Sequence, residues 1–438
     1  MKIIQITPGT ANTFYCDNCL RDISLVRALH NQGHEVLMMP MYLPVSLGDE
    51  QGVSDTPMFF GGINVYLQQR WGIFRRTPRW IDWLFDRPRL LNWLGRKSDM
   101  TGAKDLGRMT ISMLRGEHGR QAKELDRLIE WLSEKQHRPD VVILSNALLT
   151  GLAAAIREKV GVPVLCLLQD EDGFLDSLGR PYSEQAWKLL AERAADIDAF
   201  VPVSKYYADI MCRRLNIEVD QMSIVHTGID LAGYERAQAA PPVPTIGFLS
   251  RMCPEKGLDT LAEVFVKLKD NERLKNTRLR IAGGKSHSDE GFIRGIRERL
   301  ERCGAINDVD FIHGFDRDTR LDFFKTLSVL SVPEKQPVAY SVYALEAMAA
   351  GVPVVEPATA VFAELSEMTE GLVLYEPNNT DALAGALKQV LLDADYARRL
   401  ARQGREAVVA KFDVNQTARQ IVRICEGAVL RFKRGKDA

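Results

Sequence analysis

The chain has 438 residues, a formal net charge of −1, and 46% hydrophobic against 26% charged residues. That length exceeds one ordinary core and predicts two or three domains of a globular enzyme. The near-neutral balance argues against a global field for nucleic acid, and no run of about 18 apolar residues offers a membrane helix. The start, MKIIQITPGT, reads as a strand and lacks an apolar region ending in a small-residue cleavage site, so no signal peptide is expected. Seven cysteines, an odd number and mostly inside apolar runs (Cys166, Cys253, Cys425), suit thiols in a reducing cytoplasm.

Residues 1–40 read strand, helix, strand. An apolar run over 2–7 is broken at Pro8-Gly9-Thr10. A helix from about Asp17 carries Leu20, Ile23, Val26 and Leu29 on one face and ends at Gly33, and a strand follows over 35–39. Such a βαβ unit implies a parallel sheet, with its first turn at the carboxyl end of strand one, where open α/β sheets bind ligands. Cys16 and Cys19 form a lone C-x-x-C. A zinc site needs two further ligands and no second pair appears, which leaves a redox pair or two thiols in a helix's first turn.

A Gly-Gly turn lies within 59–67, followed by an insertion of about 60–120. Between Arg70 and Arg120 stand 12 Lys or Arg against 5 Asp or Glu, with Trp71, Trp80, Trp83 and Trp93, four of the six tryptophans. This reads either as a helical insertion with a solvated basic face or as a site for an anionic acceptor or a lipid surface. No nucleic-acid fold signature accompanies it.

The α/β rhythm returns at Pro139, with strands at 141–144, 162–168, 199–203 and 223–226 and helices at 147–159 and 182–195. An acidic loop, Gln169-Asp170-Glu171-Asp172-Gly173-Phe174, follows the second of these strands, and Ser204 is placed to cap a helix. The proline-rich stretch 237–245 is a linker. A second α/β array then begins at 245–249, with helices at 258–268, 319–326, 381–392 and 397–411, strands at 279–282 and 329–332, and a strand and turn at 311–315. The last helix, 415–432, belongs to a tail whose residues 416–438 hold 6 basic and 2 acidic residues. The expected domains are therefore 1–236, 245–414 and a terminal helical segment 415–438.

The second array carries the chemistry. After its first strand, Arg251 and Lys256 stand beside Gly257 and a helix start, an arrangement that suits phosphate oxygens. Gly283-Gly284 ends the next strand. In 331–357, SVPEKQPVAYSVYALEAMAAGVPVVEP, a helix is predicted from about Ser341 with Val342, Leu345, Met348 and Ala349 on one stripe. Gly351 and Pro353 stop it, and a strand resumes over 352–355. Glu346 is its one charged residue. A solvated helix edge and a carboxylate that accepts ligand hydroxyls are both open for it alone. Two cations and one carboxylate together suit the diphosphate and ribose of a nucleotide.

S-R-M-C-P-E-K-G, I-A-G-G, F-I-H-G-F and A-L-E-A-M-A-A-G-V-P-V-V, in that order and spacing, with T-G-I-D before the linker, resemble the donor-binding half of the retaining glycosyltransferases of family 4. The resemblance is strongest from Val225 to Pro357. It implies a GT-B fold, an α/β class of two Rossmann-like domains facing a cleft, and an enzyme that moves a sugar from a UDP- or GDP-sugar to a hydroxyl of a sugar or lipid-linked acceptor. It implies no metal and no cofactor beyond the nucleotide-sugar substrate, and a final helix that crosses back to the first domain. Arg251, Lys256, Gly9 and Thr10 would meet the diphosphate; Glu346, Gly283, His313, Gly314 and Phe315 the nucleoside; Val338, Ala339, Tyr340 and Ser341 the donor sugar. The family places a Glu where this chain has Val338, and often a His where it has Gln169. Gln169 hydrogen-bonds but transfers no proton at neutral pH. Gln169, Asp170 and Asp172 are the candidates at the reacting centre, with Glu171 beside them; these acids are otherwise solvated or cap the turn at Gly173. A relative that binds a nucleotide sugar or glycan without turnover is the alternative. A cytoplasmic protein with a peripheral contact at the inner membrane face completes the expectation.

Overall fold

The structure is a computed structural model that describes residues 1–8, 15–41, 103–234 and 241–437. The turn holding Gly9 and Thr10, the Gly-Gly turn at 59–67, most of the Trp- and Arg-rich insertion and the first residues of the linker lie outside the described residues. The chain divides into two compact units. The first comprises Met1–Thr10, Leu25–Val225 and Ala418–Ala438, and the second Ala11–Ser24 and His226–Thr417.

In the first unit five parallel strands, β1 (Lys2–Thr7), β2 (Glu35–Pro40), β3 (Val141–Leu144), β4 (Val164–Leu168) and β5 (Ala199–Pro202), are ordered β2-β1-β3-β4-β5. Every residue of β3, β4 and β5 is buried, as a parallel sheet covered on both faces requires. The order reverses between β1 and β3, which makes their carboxyl ends the switch point.

The second unit has six parallel strands: β6 (Thr245–Leu249), β7 (Arg278–Ala282), β8 (Val309–Phe311), β9 (Val329–Leu330), β10 (Val354–Pro357) and β11 (Leu372–Tyr375). Their order is β11-β10-β9-β6-β7-β8, so the reversal falls between β6 and β9. The loops leaving these two strands begin at Ser250 and Ser331, which brings together two stretches about 80 residues apart in sequence. This is the order of a Rossmann sheet, and it positions the site.

Four expectations need correction. The helix over 147–159 is a 3₁₀ segment Ala147–Leu152, one α turn Ala153–Ala155 and a π segment Ile156–Val160. Side chains claim its first amides: Asn146 accepts from Leu148, and Glu171 from Ala147 at 2.8 Å. Leu149 N–H turns back to Asn146 C=O in a tight i→i+3 bond. The strand over 223–226 does not form. Ser223 and Val225 donate to Phe200 and Pro202, but one isolated bridge, Phe200 with Met222, is all that results. β5 ends at Pro202, which has no N–H to extend the ladder. The acidic loop 169–174 is mostly the start of a helix, Glu171–Ser177. The strand expected at 352–355 lies at Val354–Pro357, because Pro353 cannot donate to the sheet.

Candidate functional site

The loop after β6 makes one 3₁₀ turn, Pro254–Lys256, before the helix Leu258–Leu268. Gly257 joins them at φ +69°, and a Cβ there would stand 1.9 Å from Pro333 O, so only glycine lets this loop abut the loop after β9. The contact sets Lys256 Nζ 2.7 Å from Glu334 Oε1, which also accepts from Tyr343 Oη at 3.2 Å. Arg251 forks onto Asp289 at 2.8 and 3.0 Å and reaches Ser286 Oγ at 2.9 Å. Burial works against the Asp289 carboxylate, but the bonds from Arg251 and Ser286 prevail and hold its pKa below the usual range. Both expected diphosphate cations are thus fixed by carboxylates.

Behind Glu334 lies Glu356, fully buried. Its Oε1 accepts from Val332 N–H at 3.0 Å, while Oε2 has no hydrogen-bond partner among the described residues. Burial pushes both carboxyls upward, and for Glu356 the neighbouring Glu334 adds to the rise.

The helix Val342–Ala349 is buried at all eight positions, and Ser341 caps it through Oγ to Ala344 N–H at 3.3 Å. Glu346 therefore does not escape to solvent. Its Oε1 accepts from Tyr234 Oη at 2.6 Å and Arg320 Nε at 3.1 Å, and its Oε2 from Tyr15 Oη at 3.1 Å. Arg320 also donates to Phe315 O at 2.7 Å, and Tyr15 N–H donates to Gly283 O at 2.6 Å. Tyr15 and Arg320 thereby tie three of the expected nucleoside-side residues, Gly283, Phe315 and Glu346, into one network. Gly283 sits at φ +116°, and a Cβ on it would lie 2.2 Å from Ser250 O, so β7 and the loop after β6 meet backbone to backbone. Burial, with the Glu346 charge second, holds the Tyr15 and Tyr234 phenols protonated far above their ordinary range. Burial also disfavours the Arg320 cation, but interactions led by the Glu346 charge outweigh it.

The segment before this helix is covered as well. Val338, Ala339, Tyr340 and Ser341 are buried, Tyr340 Oη bonds Asn18 Oδ1, and Val342 N–H donates to Asp17 Oδ1 at 3.0 Å. His313 and Gly314 are exposed. In the first unit, Gln169 Nε2 donates to Ser145 O at 2.7 Å, while Asp170 adopts a left-handed φ of 54°. Asp170 and Asp172 are partly buried, and Asp172 N–H donates to Tyr207 Oη at 3.3 Å. Glu171 is a scaffold group: its carboxylate accepts from Ala147 N–H, Gln169 N–H and Tyr207 Oη.

Burial pushes the Asp17 carboxyl up to about 6; Lys256 and the Val342 N–H pull against the rise, and Glu334 and Glu346 add to it. A raised folded pKa favours the protonated acid in the folded state. Its contribution is complete below the unfolded value of about 4, is lost as pH rises to about 6, and is constant beyond. Asp17→Asn keeps the acceptor for Val342. It is expected to flatten stability between about pH 4 and 6 relative to the parent and to add on the order of 1–3 kcal/mol at pH 7. Urea unfolding of both proteins at several pH values checks this.

Tyr15, Asp17, Tyr234, Arg320 and Glu356 were not foreseen. The pattern around each shows no sign of burial against Glu346 or Glu334. An Arg inside the short helix Arg317–Lys325 is the nearest to a signal.

Residues 107–232 match the family model described as glycosyltransferase family 4, and residues 235–407 match glycosyl transferases group 1. The two matches together take in most of this chain, and its fold is of the GT-B class. Sucrose-phosphate synthase from Thermosynechococcus elongatus is similar in fold, with a TM-score of 0.71 at 16% identity over 98% of this chain and 99% of that one. HepE from Anabaena, solved in complex with UDP, gives 0.67 at 15% identity over 98% and 100%. In sequence, the GDP-mannose-dependent alpha-(1-6)-phosphatidylinositol monomannoside mannosyltransferase of Mycobacterium tuberculosis is 26% identical over 190 residues, 42% of this chain and 48% of that protein. The chain spans about half the length of the curated relatives it matches.

Proposed function

We propose that this protein transfers a sugar, with retention of configuration, from a nucleoside diphosphate sugar to a hydroxyl acceptor in glycan, polysaccharide or glycolipid synthesis. The observation that carries the reading is the Glu346 network. Among the described residues Oε1 is occupied twice, whereas Oε2 takes a single neutral phenol from Tyr15. A ribose hydroxyl is a donor of the same kind and takes that place, while Tyr234 and Arg320 keep the carboxylate oriented. Arg251 and Lys256, held by Asp289 and Glu334, receive the diphosphate and stabilise it as it departs. A donor phosphate oxygen takes the acceptor proton, so neither Gln169 nor Val338 needs to transfer one.

Relatives support both bases: HepE was solved with UDP, and the mycobacterial enzyme is GDP-mannose-dependent. The latter's lipid acceptor supports a lipid-linked acceptor here. Among the described residues no helix is long and apolar enough to cross a membrane. The basic tail supports a peripheral contact of a cytoplasmic protein with the inner membrane face.

Incubation with UDP- and GDP-sugars, reading nucleoside diphosphate release, tests the reading. Release is expected, and Arg251→Ala should slow it by about 100-fold. The carboxylate partners on both cations favour a second reading, a relative that binds nucleotide sugar or glycan without turnover. Nucleotide binding with neither hydrolysis nor transfer to any acceptor would establish it.

A further inference from the structure

The C-x-x-C pair is not used by the proposed chemistry, yet it is embedded in the network around Glu346. Cys16 directly precedes the helix Asp17–Asn31, and Cys19 lies in its first turn. Their sulfurs are 2.6 Å apart, and Cys19 N–H points at Cys16 Sγ at 3.4 Å. Cys16 is partly exposed and Cys19 buried, which orders the pair as an outer and an inner residue. Their neighbours carry the contacts: Tyr15 binds Glu346 and Gly283 O, Asp17 binds Val342 N–H, and Asn18 binds Tyr340.

We propose that Cys16 and Cys19 form a reversible dithiol–disulfide site whose oxidation locks Tyr15 onto Glu346. The oxidant is a low-molecular-weight disulfide, RSSR. The Cys16 thiolate attacks one of its sulfurs and expels RS⁻, giving a mixed disulfide. The Cys19 thiolate then attacks the Cys16 sulfur and expels the second RS⁻. Two protein thiols and RSSR become one protein disulfide and two RSH, so the protein loses two protons and two electrons, a net loss of two hydrogen atoms. Closing the four-residue loop removes conformational freedom from the turn that presents Tyr15, Asp17 and Asn18. The locked turn keeps the phenol on Oε2, where a nucleotide's ribose must enter, and this last link rests on the donor-site reading above.

The test uses the full chain, reduced and then exposed to oxidised glutathione. Three measurements follow: mass mapping of the peptide holding both cysteines, hydrogen exchange of the Val342 amide, and UDP binding by calorimetry. Loss of two hydrogens in that peptide is expected. The Val342 amide should exchange about tenfold more slowly after oxidation, and UDP should bind about tenfold more weakly. Cys19→Ser should stop at a glutathione adduct on Cys16 and show neither effect. Absence of the internal disulfide, or unchanged Val342 exchange once it has formed, overturns the proposal. If neither redox state binds UDP, the donor-site reading falls, while the exchange measurement still decides whether the thiol pair controls this turn.

Discussion

Glu346→Ala is expected to destabilise the second unit by about 3–5 kcal/mol and to abolish nucleotide binding. The carboxylate and the Arg320 side chain are only 4% and 7% exposed, so deletion strands a guanidinium without its counter-charge. It also removes the acceptor of two phenols buried to 3% and 4% exposure. Glu346→Gln keeps the shape and one acceptor oxygen, and about 1–3 kcal/mol of loss is expected for it. Urea unfolding read together with nucleotide binding separates the two effects. An alanine variant that unfolds within 1 kcal/mol of the parent would show that the network contributes little to folding.

Glu171→Ala should have a comparable effect in the first unit, about 3 kcal/mol or more. The three donors that converge on this carboxylate come from separate elements: the start of the 3₁₀ segment after β3, the end of β4, and the helix Lys205–Leu215. Burial raises its pKa, and the Tyr207 and backbone bonds oppose that rise. Glu171→Gln would turn an N–H₂ toward groups that are themselves donors, so it is expected to lose most of the same stability. Tyr207→Phe removes the oxygen that accepts from the Glu171 and Asp172 amides, at a cost of about 1–3 kcal/mol. Thermal unfolding of the three variants checks the order. If Glu171→Gln melts with the parent, the pocket has room to turn its donors away.

The α/β architecture was legible because parallel strands buried on both faces are short apolar runs between turn residues, as at β3 and β4. The helix around Glu346 was legible for a similar reason: Ser341 begins it and Gly351 with Pro353 ends it. The 3₁₀ and π segment was not, since its hydrogen bonds are set by Asn146 and Glu171, not by side-chain period. The environment of Glu346 was equally hidden. Its partners lie 331, 112 and 26 residues away in sequence, so periodicity has no access to them. Glu171 shows the opposite problem. An acidic tripeptide reads as exposed or reactive, yet the middle residue turns inward to satisfy backbone amides.

The second unit recruits residues 11–24 from the beginning of the chain. This matters for modular exchange. A chimera joined at the proline linker would import a foreign carboxylate and Arg equivalent but retain the host's Tyr15 and Tyr234 phenols and Asp17. Compatible grafts must therefore carry two separate stretches of gene, and recombination at the linker alone would select for turns around Cys16 that tolerate many different partners.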